Sequence, residues 1–222
     1  MVKGLRDMCR AMDVFIVGGG FSTSFSDIVP ATVVAVFGKL VTARPLTKPA
    51  KSAGDQIILI GKTGSDGNDT LYRAGLVGEM KPARARFKVE RAVMEASLAA
   101  FHSGKIKACS DLGAAAIGAA VCESARYGGF GAQVDLAKAP VWEKSLTPEE
   151  IMICETQARM VLQVAKKDVE AVLKAVRAKK VRAEVIGQIN RDDKQVFEYN
   201  GKTVAEIPNA PTQAQLKELV SG

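Results

Sequence analysis

Aromatic side chains are scarce in this chain, at 5% of 222 residues, and histidine occurs once. Few aromatics leave little material for the base-stacking platforms that nucleic-acid surfaces use. The four cysteines, Cys9, Cys109, Cys122 and Cys154, are dispersed with no C-x-x-C pair. With His102 as the single histidine, neither a zinc site nor a disulfide framework is expected. Long apolar runs are also missing. Ile57–Ile60 and Val33–Phe37 are strand-sized, whereas a bilayer span needs about 20 apolar residues. The opening Met1-Val-Lys-Gly-Leu-Arg-Asp leads into an amphipathic helix, not an apolar signal core. These absences imply a cytoplasmic protein with no membrane and no nucleic acid among its partners.

Ala, Val and Gly are plentiful, and hydrophobic residues make up 47% of the chain. That composition favours a close-packed α/β architecture with a sizeable core. The net charge is +7. It has two readings: a surface suited to anionic ligands, or a solvated lysine-rich exterior. The basic clusters at Lys166-Lys167 and Arg177–Arg182 flank a helix and line no aromatic groove.

Hydrophobic spacing predicts a helix over 2–12, with Leu5, Met8, Cys9 and Met12 on one face. Strands are expected at 14–17, before Gly18-Gly19-Gly20, and at 30–41. Residues 42–53 carry two prolines and several polar residues, so a linker is placed at 45–53. Beyond it, strands are predicted at 56–60, 106–109, 132–136, 159–164 and 181–189. They alternate with helices over 87–101, 114–126 and 168–178. Thr147-Pro148-Glu149-Glu150 combines a cap, a proline at the first helical position and acids in the first turn. Asn200-Gly201 between two apolar runs signals a hairpin. The alternation predicts a mixed sheet with helices packed on it.

Three places could carry chemistry. The loop Gly61–Gly67 follows a strand, and such a loop can turn N–H groups towards a phosphate, assisted by Lys62 and Thr63. It is not a P-loop, because the order G-x-x-x-x-G-K-[ST] is absent, and a plain tight turn fits equally. Asp111 ends a buried strand just before an alanine-rich helix. It either caps that helix or holds Mg²⁺, which binds one or two carboxylates together with phosphate oxygens. Glu155-Thr156-Gln157 places three hydrogen-bonding side chains in a row, suited either to a polar ligand or to a local turn. His102, near a helix end, reads as a partner of the helix C-terminus.

Taken together these segments resemble the large subunit of phosphoribosylformylglycinamidine synthase. Ala53-Gly-Asp-Gln-Ile-Ile-Leu-Ile-Gly61 with Thr63-Gly-Ser-Asp-Gly67 is similar to the family's P-G-D-x-I-I … T-G-R-D-G pattern. Ser110-Asp-Leu-Gly-Ala-Ala115 is similar to its Q-D-L-G-A-A segment. Thr147-Pro-Glu-Glu-Ile-Met-Ile-Cys-Glu-Thr-Gln-Ala-Arg-Met160 is similar to its T-P-x-E-I … S-E-S-Q-E-R-M segment. The resemblance runs in colinear order from about Ala53 to Ile207 and implies the fold of the aminoimidazole ribonucleotide synthetase-like superfamily. That fold places a C-terminal α/β domain (54–208) after a β-rich, ATP-binding N-terminal domain, of which residues 1–44 would be a remnant. Residues 209–222 would be a peripheral tail.

The resemblance also implies a reaction: an ATP-dependent ligase of purine biosynthesis converts formylglycinamide ribonucleotide and glutamine-derived ammonia to the amidine. On that basis Asp111 is the Mg²⁺ ligand, and Glu155, Thr156, Gln157 and Ser22 contact the ribonucleotide. Gly19 contacts ATP, and Gly64, Asp66 and Gly67 belong to the phosphate loop. Implied partners are the glutaminase and small accessory subunits of the synthase, a complementary synthetase half, or a second copy. Gly20 stands where the resemblance expects a metal-binding Asn or Glu, Ser65 replaces Arg, and Ser110 replaces Gln. No counterpart of the family's catalytic histidine is found, and His102 does not match it. The resemblance thus implies a fragment, a split subunit or a degenerate relative, inactive alone. The alternative is a non-catalytic module that binds nucleotide or partner subunits.

Overall fold

The strand β1 (Gln56–Ile60) holds four consecutive buried side chains, Ile57 to Ile60. A strand reads as a continuous apolar run when both faces of its sheet are covered, and that is its situation. The computed structural model describes residues 2–20, 33–42 and 45–209. They fall into two compact units, one within 1–45 and one within 46–222.

In the larger unit β1 is followed by α2 (Asp69–Arg73), α3 (Phe87–His102), β2 (Ile106–Asp111), α4 (Ala116–Gly128) and β3 (Gly131–Asp135). Then come α5 (Pro148–Ile153), β4 (Met160–Val164), α6 (Val169–Arg177), β5 (Ala183–Asn190), β6 (Lys194–Tyr199) and β7 (Lys202–Pro208). The smaller unit contains α1 (Val2–Met12).

The seven strands form one mixed sheet in the order β2-β4-β1-β5-β3-β6-β7. Only β3 and β6 run parallel; every other pairing is antiparallel. One face carries Ile57 and Leu59 of β1 and packs on Ile117, Ala120 and Val121 of α4 and Ile151 and Met152 of α5. The other carries Ile58 and Ile60 and packs on Val93, Ala96 and Ala100 of α3 and Val172, Leu173 and Val176 of α6. The expected α/β domain, with those helices on that sheet, is the observed one.

Local signals account for several boundaries. Thr147 closes a capping box with Glu150, with Pro148 opening the helix behind it, which satisfies two N–H groups that a bare helix start would leave unpaired. Asn200 and Gly201 both adopt positive φ, at 51° and 75°, the conformation that a two-residue hairpin turn demands. Asn209 donates its N–H to Asp193 O and its side-chain amide to Phe130 O; residues 210–222 lie outside the described residues.

The two expected strands of the smaller unit need correction. Among the described residues, 14–17 and 33–41 are irregular and join no sheet. Their side chains stand in solvent, with Val17 92% exposed and Val33 93% exposed. β-Branched content reports how well a residue suits a pleated surface, but a strand persists only where neighbouring strands complete its hydrogen bonds.

Leu59→Ala removes a fully buried side chain from the interior strand β1 and is expected to lower unfolding stability by about 2–5 kcal/mol. Ile207→Ala, on the edge strand β7, is expected to cost less. Urea denaturation followed by circular dichroism checks both; equal midpoints for the two variants would contradict the core described here.

Candidate functional site

Strand register brings three loops to one end of the sheet. Met160, the first residue of β4, pairs with Ile60 at the end of β1 on one side and with Asp111 at the end of β2 on the other. The loop leaving β1 (61–68), the turn leaving β2 (112–115) and the loop entering β4 (154–159) therefore emerge side by side. These are the three places singled out in the sequence.

Thr156 is the hub of this end. It is fully buried, and its hydroxyl accepts from Gly64 N at 2.8 Å and lies 3.1 Å from Gly64 O. Arg159 is buried beside it. Its guanidinium donates to Thr156 O and Thr63 Oγ1 at 2.8 Å each, and to Cys154 O. Among the described residues no carboxylate pairs with it, and burial pushes its pKa down to about 10. Cys154 is buried too, and desolvation pushes its thiol up to about 12, which rules out a thiolate nucleophile at neutral pH.

Four N–H groups of the glycine loop are bonded within the protein. The N–H groups of Gly61, Thr63, Gly64 and Gly67 are given to Arg182 O, Pro140 O, Thr156 Oγ1 and Lys81 O. The glycines also serve close approach. Gly61 and Gly67 have φ of 93° and 71°, and a Cβ there would lie 2.5 Å from Ala158 O and 2.7 Å from the Glu155 carbonyl carbon. Lys62 stands 4.4 Å from the centre of the Trp142 ring. Asp66 is buried, and its carboxylate takes a bidentate pair of bonds from Arg86 at 2.8 and 2.9 Å and a third from Arg84 N at 2.8 Å. Burial opposes its ionisation, but these donors outweigh that and hold the carboxyl below its usual range.

Glu155 and Gln157 flank the buried Thr156 and face outward; Gln157 is exposed and Glu155 half-buried. One carboxylate oxygen of Glu155 accepts from Ala115 N at 3.2 Å and Thr70 Oγ1 at 3.1 Å. Gln157 Nε2 donates to Glu155 O, leaving its carbonyl oxygen open. Asp111 is exposed, and among the described residues its carboxylate has no hydrogen-bond or ion-pair partner. It does not cap the following helix, whose N-cap is Ala115 without a side-chain bond. The local-cap reading of Asp111 is thereby removed. No three metal-ligating side chains cluster among the described residues. A lone open carboxylate still fits Mg²⁺, which keeps several waters and completes its shell with ligand phosphates.

Backbone strain gathers here. Ala115, Ala116 and Ala158 all have positive φ, at 53°, 47° and 64°; each such residue costs on the order of 1–3 kcal/mol and persists only where its surroundings enforce it. Of the remaining expected contacts, Gly19 lies exposed in the smaller unit, and Ser22 lies outside the described residues. Arg86 and Arg159 were not singled out in the sequence. The one available signal was Arg159 standing directly before the apolar run of β4.

With this geometry in place, comparison with known proteins is informative. A family model described as AIR synthase related protein, C-terminal domain, matches residues 52–200. The chain belongs to that family, and its α/β fold is the AIR synthetase-like one. The phosphoribosylformylglycinamidine synthase subunit PurL of Methanosarcina mazei is 34% identical over 219 residues, covering 94% of this chain and 30% of the relative. The chain thus spans about a third of the length of the curated relatives it matches. A solved structure titled T. maritima PurL complexed with FGAR superposes with a TM-score of 0.68 at 26% identity, covering 76% of this chain and 30% of that one. The E. coli HypE structure shares the fold, with a TM-score of 0.58 at 19% identity, covering 81% of this chain and 57% of that chain. Among the described residues no helix is long and apolar enough to cross a membrane.

Two variants probe this end of the sheet. Arg159→Met leaves three buried oxygens without a donor and is expected to cost on the order of 3 kcal/mol or more. For Asp66, a depressed folded-state pKa means that stability is present in full above the unfolded value near 3.9 and lost as pH falls through the folded one. The stability gap between wild type and Arg86→Met should therefore narrow on acidification from about pH 6 to about pH 2. Denaturant titrations across that range check it; a constant gap would mean that the Asp66–Arg86 pair does not carry the difference.

Proposed function

We propose that this chain supplies ribonucleotide- and Mg-ATP-binding groups to an ATP-dependent, amidine-forming ligase of purine biosynthesis. The observation that carries the reading is the convergence of Asp111, Glu155 and Gln157 at one sheet end, each with open hydrogen-bonding capacity. Support comes from the relatives: one solved neighbour is titled as a complex with FGAR and another as a complex with ATP. In this reading Glu155 and Gln157 orient the ribonucleotide, a positioning role. Asp111 takes Mg²⁺, which when bound offsets charge on phosphate oxygens as a phosphoryl group moves. Thr156 is proposed to serve the ribonucleotide through these two neighbours, which its buried hydroxyl keeps turned outward, and Gly64, Asp66 and Gly67 are proposed as the phosphate loop. Gly19 and Ser22 are proposed as nucleotide and substrate contacts in the smaller unit. A glutaminase and a small accessory subunit are the proposed partners, in keeping with a neighbour titled as PurLQS from Thermotoga maritima.

One observation favours the second reading, a non-catalytic binding module. Gly20 offers no ligand atom where the resemblance expects a metal-binding side chain, and His102 sits exposed in the last turn of α3.

Calorimetric titration with formylglycinamide ribonucleotide separates these roles from local turn formation. Glu155→Ala and Gln157→Ala are each expected to weaken binding by about 1.5–3 kcal/mol, roughly tenfold or more. Unchanged affinity in both would leave the two residues as turn formers. The purified chain is expected to form no amidine from ribonucleotide, ATP and ammonia; turnover by the chain alone would overturn the inactive-alone reading.

A further inference from the structure

Next to the convergent loops lies a cleft of about 350 Å³ between α3 and the adjoining ends of β2 and β4. That volume is within the range of small-molecule sites. Met94, Leu98 and Phe101 of α3 form an apolar wall, and Asp111 and Gln157 stand at its edge. Ser97 also lines it. This serine is only 4% exposed, and its Oγ has no hydrogen-bond partner. A serine inside a helix ordinarily bonds back to a carbonyl one turn earlier, and a buried hydroxyl left unpaired is destabilising. Its neighbour in the cleft, Glu90, spends one carboxylate oxygen on Arg86 N. Among the described residues lining the cleft the one cation is Arg159, whose guanidinium is already committed to Thr156, Thr63 and Cys154.

We propose that this cleft is a ligand subsite with Ser97 as a contact residue within it, taking the uncharged, hydrogen-bonding end of the ribonucleotide. The inference rests on the ribonucleotide reading above and adds the direction in which the ligand enters. Glu90 at the cleft, and no uncommitted cation among the described residues that line it, disfavour a bare phosphate inside it. An amide end supplies the donor or acceptor that Ser97 lacks, and the apolar wall receives the chain behind it. The phosphate end stays outside the cleft.

The test compares wild type, Ser97→Ala and Ser97→Val in the full chain, with Mg²⁺ present, by thermal melting and calorimetry. Without ligand, Ser97→Ala is expected to melt at or above the wild-type temperature, because it removes an unpaired buried hydroxyl. With formylglycinamide ribonucleotide its Kd is expected to rise roughly five- to tenfold, and Ser97→Val, which fills the cleft, weakens binding further. Ribose 5-phosphate, which lacks the amide end, is expected to bind wild type and Ser97→Ala alike. If both Ser97 variants keep wild-type affinity for the ribonucleotide while Glu155→Ala loses it, the subsite is refuted and the ribonucleotide reading stands. A clear drop in unliganded melting temperature for Ser97→Ala, or equal weakening for both ligands, also refutes it. Wild type that fails to bind the ribonucleotide refutes the reading itself, and the subsite with it.

Discussion

The arrangement of the candidate site depends on one buried cation. Arg159 has no carboxylate partner among the described residues, yet it is deep inside the fold and donates to oxygens on two separate segments. A desolvated guanidinium is costly unless its N–H groups are met, so its three bonds constrain Thr63, Thr156 and Cys154 together. That constraint places the glycine loop against the 154–159 loop. The close approaches at Gly61 and Gly67 follow from it, and so does the outward projection of Glu155 and Gln157. Of the left-handed alanines, Ala158 lies in a segment so held, and Ala115, next to Ala116, bonds to it through Glu155. Their strain is sustained because the surrounding bonds, including that from Ala115 N to Glu155, over-determine the backbone.

A division of labour among adjacent residues results. Thr156 and Asp66 have saturated their hydrogen bonds within the protein, whereas Asp111 and Gln157 retain open capacity at the surface. Polar groups that are buried and fully paired give rigidity, and polar groups that are open but rigidly mounted give recognition. The glycine loop belongs to the first class. Its glycines answer a steric demand from the neighbouring loop.

Much of the larger unit was legible in the sequence because its signals are local. The apolar run Ile57–Ile60, the inward face of Val169, Val172, Leu173 and Val176, the capping box at Thr147 and the turn at Asn200-Gly201 each report on a few adjacent residues. What escaped was non-local. The Asp66–Arg86 pair spans 20 residues, and nothing adjacent to either distinguishes them from surface charges. Asp111 looked like a helix cap because an aspartate before an alanine-rich helix usually is one; the left-handed turn at Ala115 and Ala116 moved the helix start beyond its reach. The strands expected at 14–17 and 30–41 failed for the same reason in reverse. Their β-branched residues suit a sheet, but among the described residues no strand lies alongside them.

The central claim is that Asp111 with Mg-ATP, and Glu155 and Gln157 with the ribonucleotide, make one site at the end of the sheet. The most direct measurement is paramagnetic broadening of amide resonances by Mn²⁺, added in place of Mg²⁺ with ATP and formylglycinamide ribonucleotide present. The account predicts broadening confined to the turn after Asp111 and the loop around Glu155–Gln157, abolished by Asp111→Asn. Broadening centred elsewhere, or unaffected by that substitution, would contradict it.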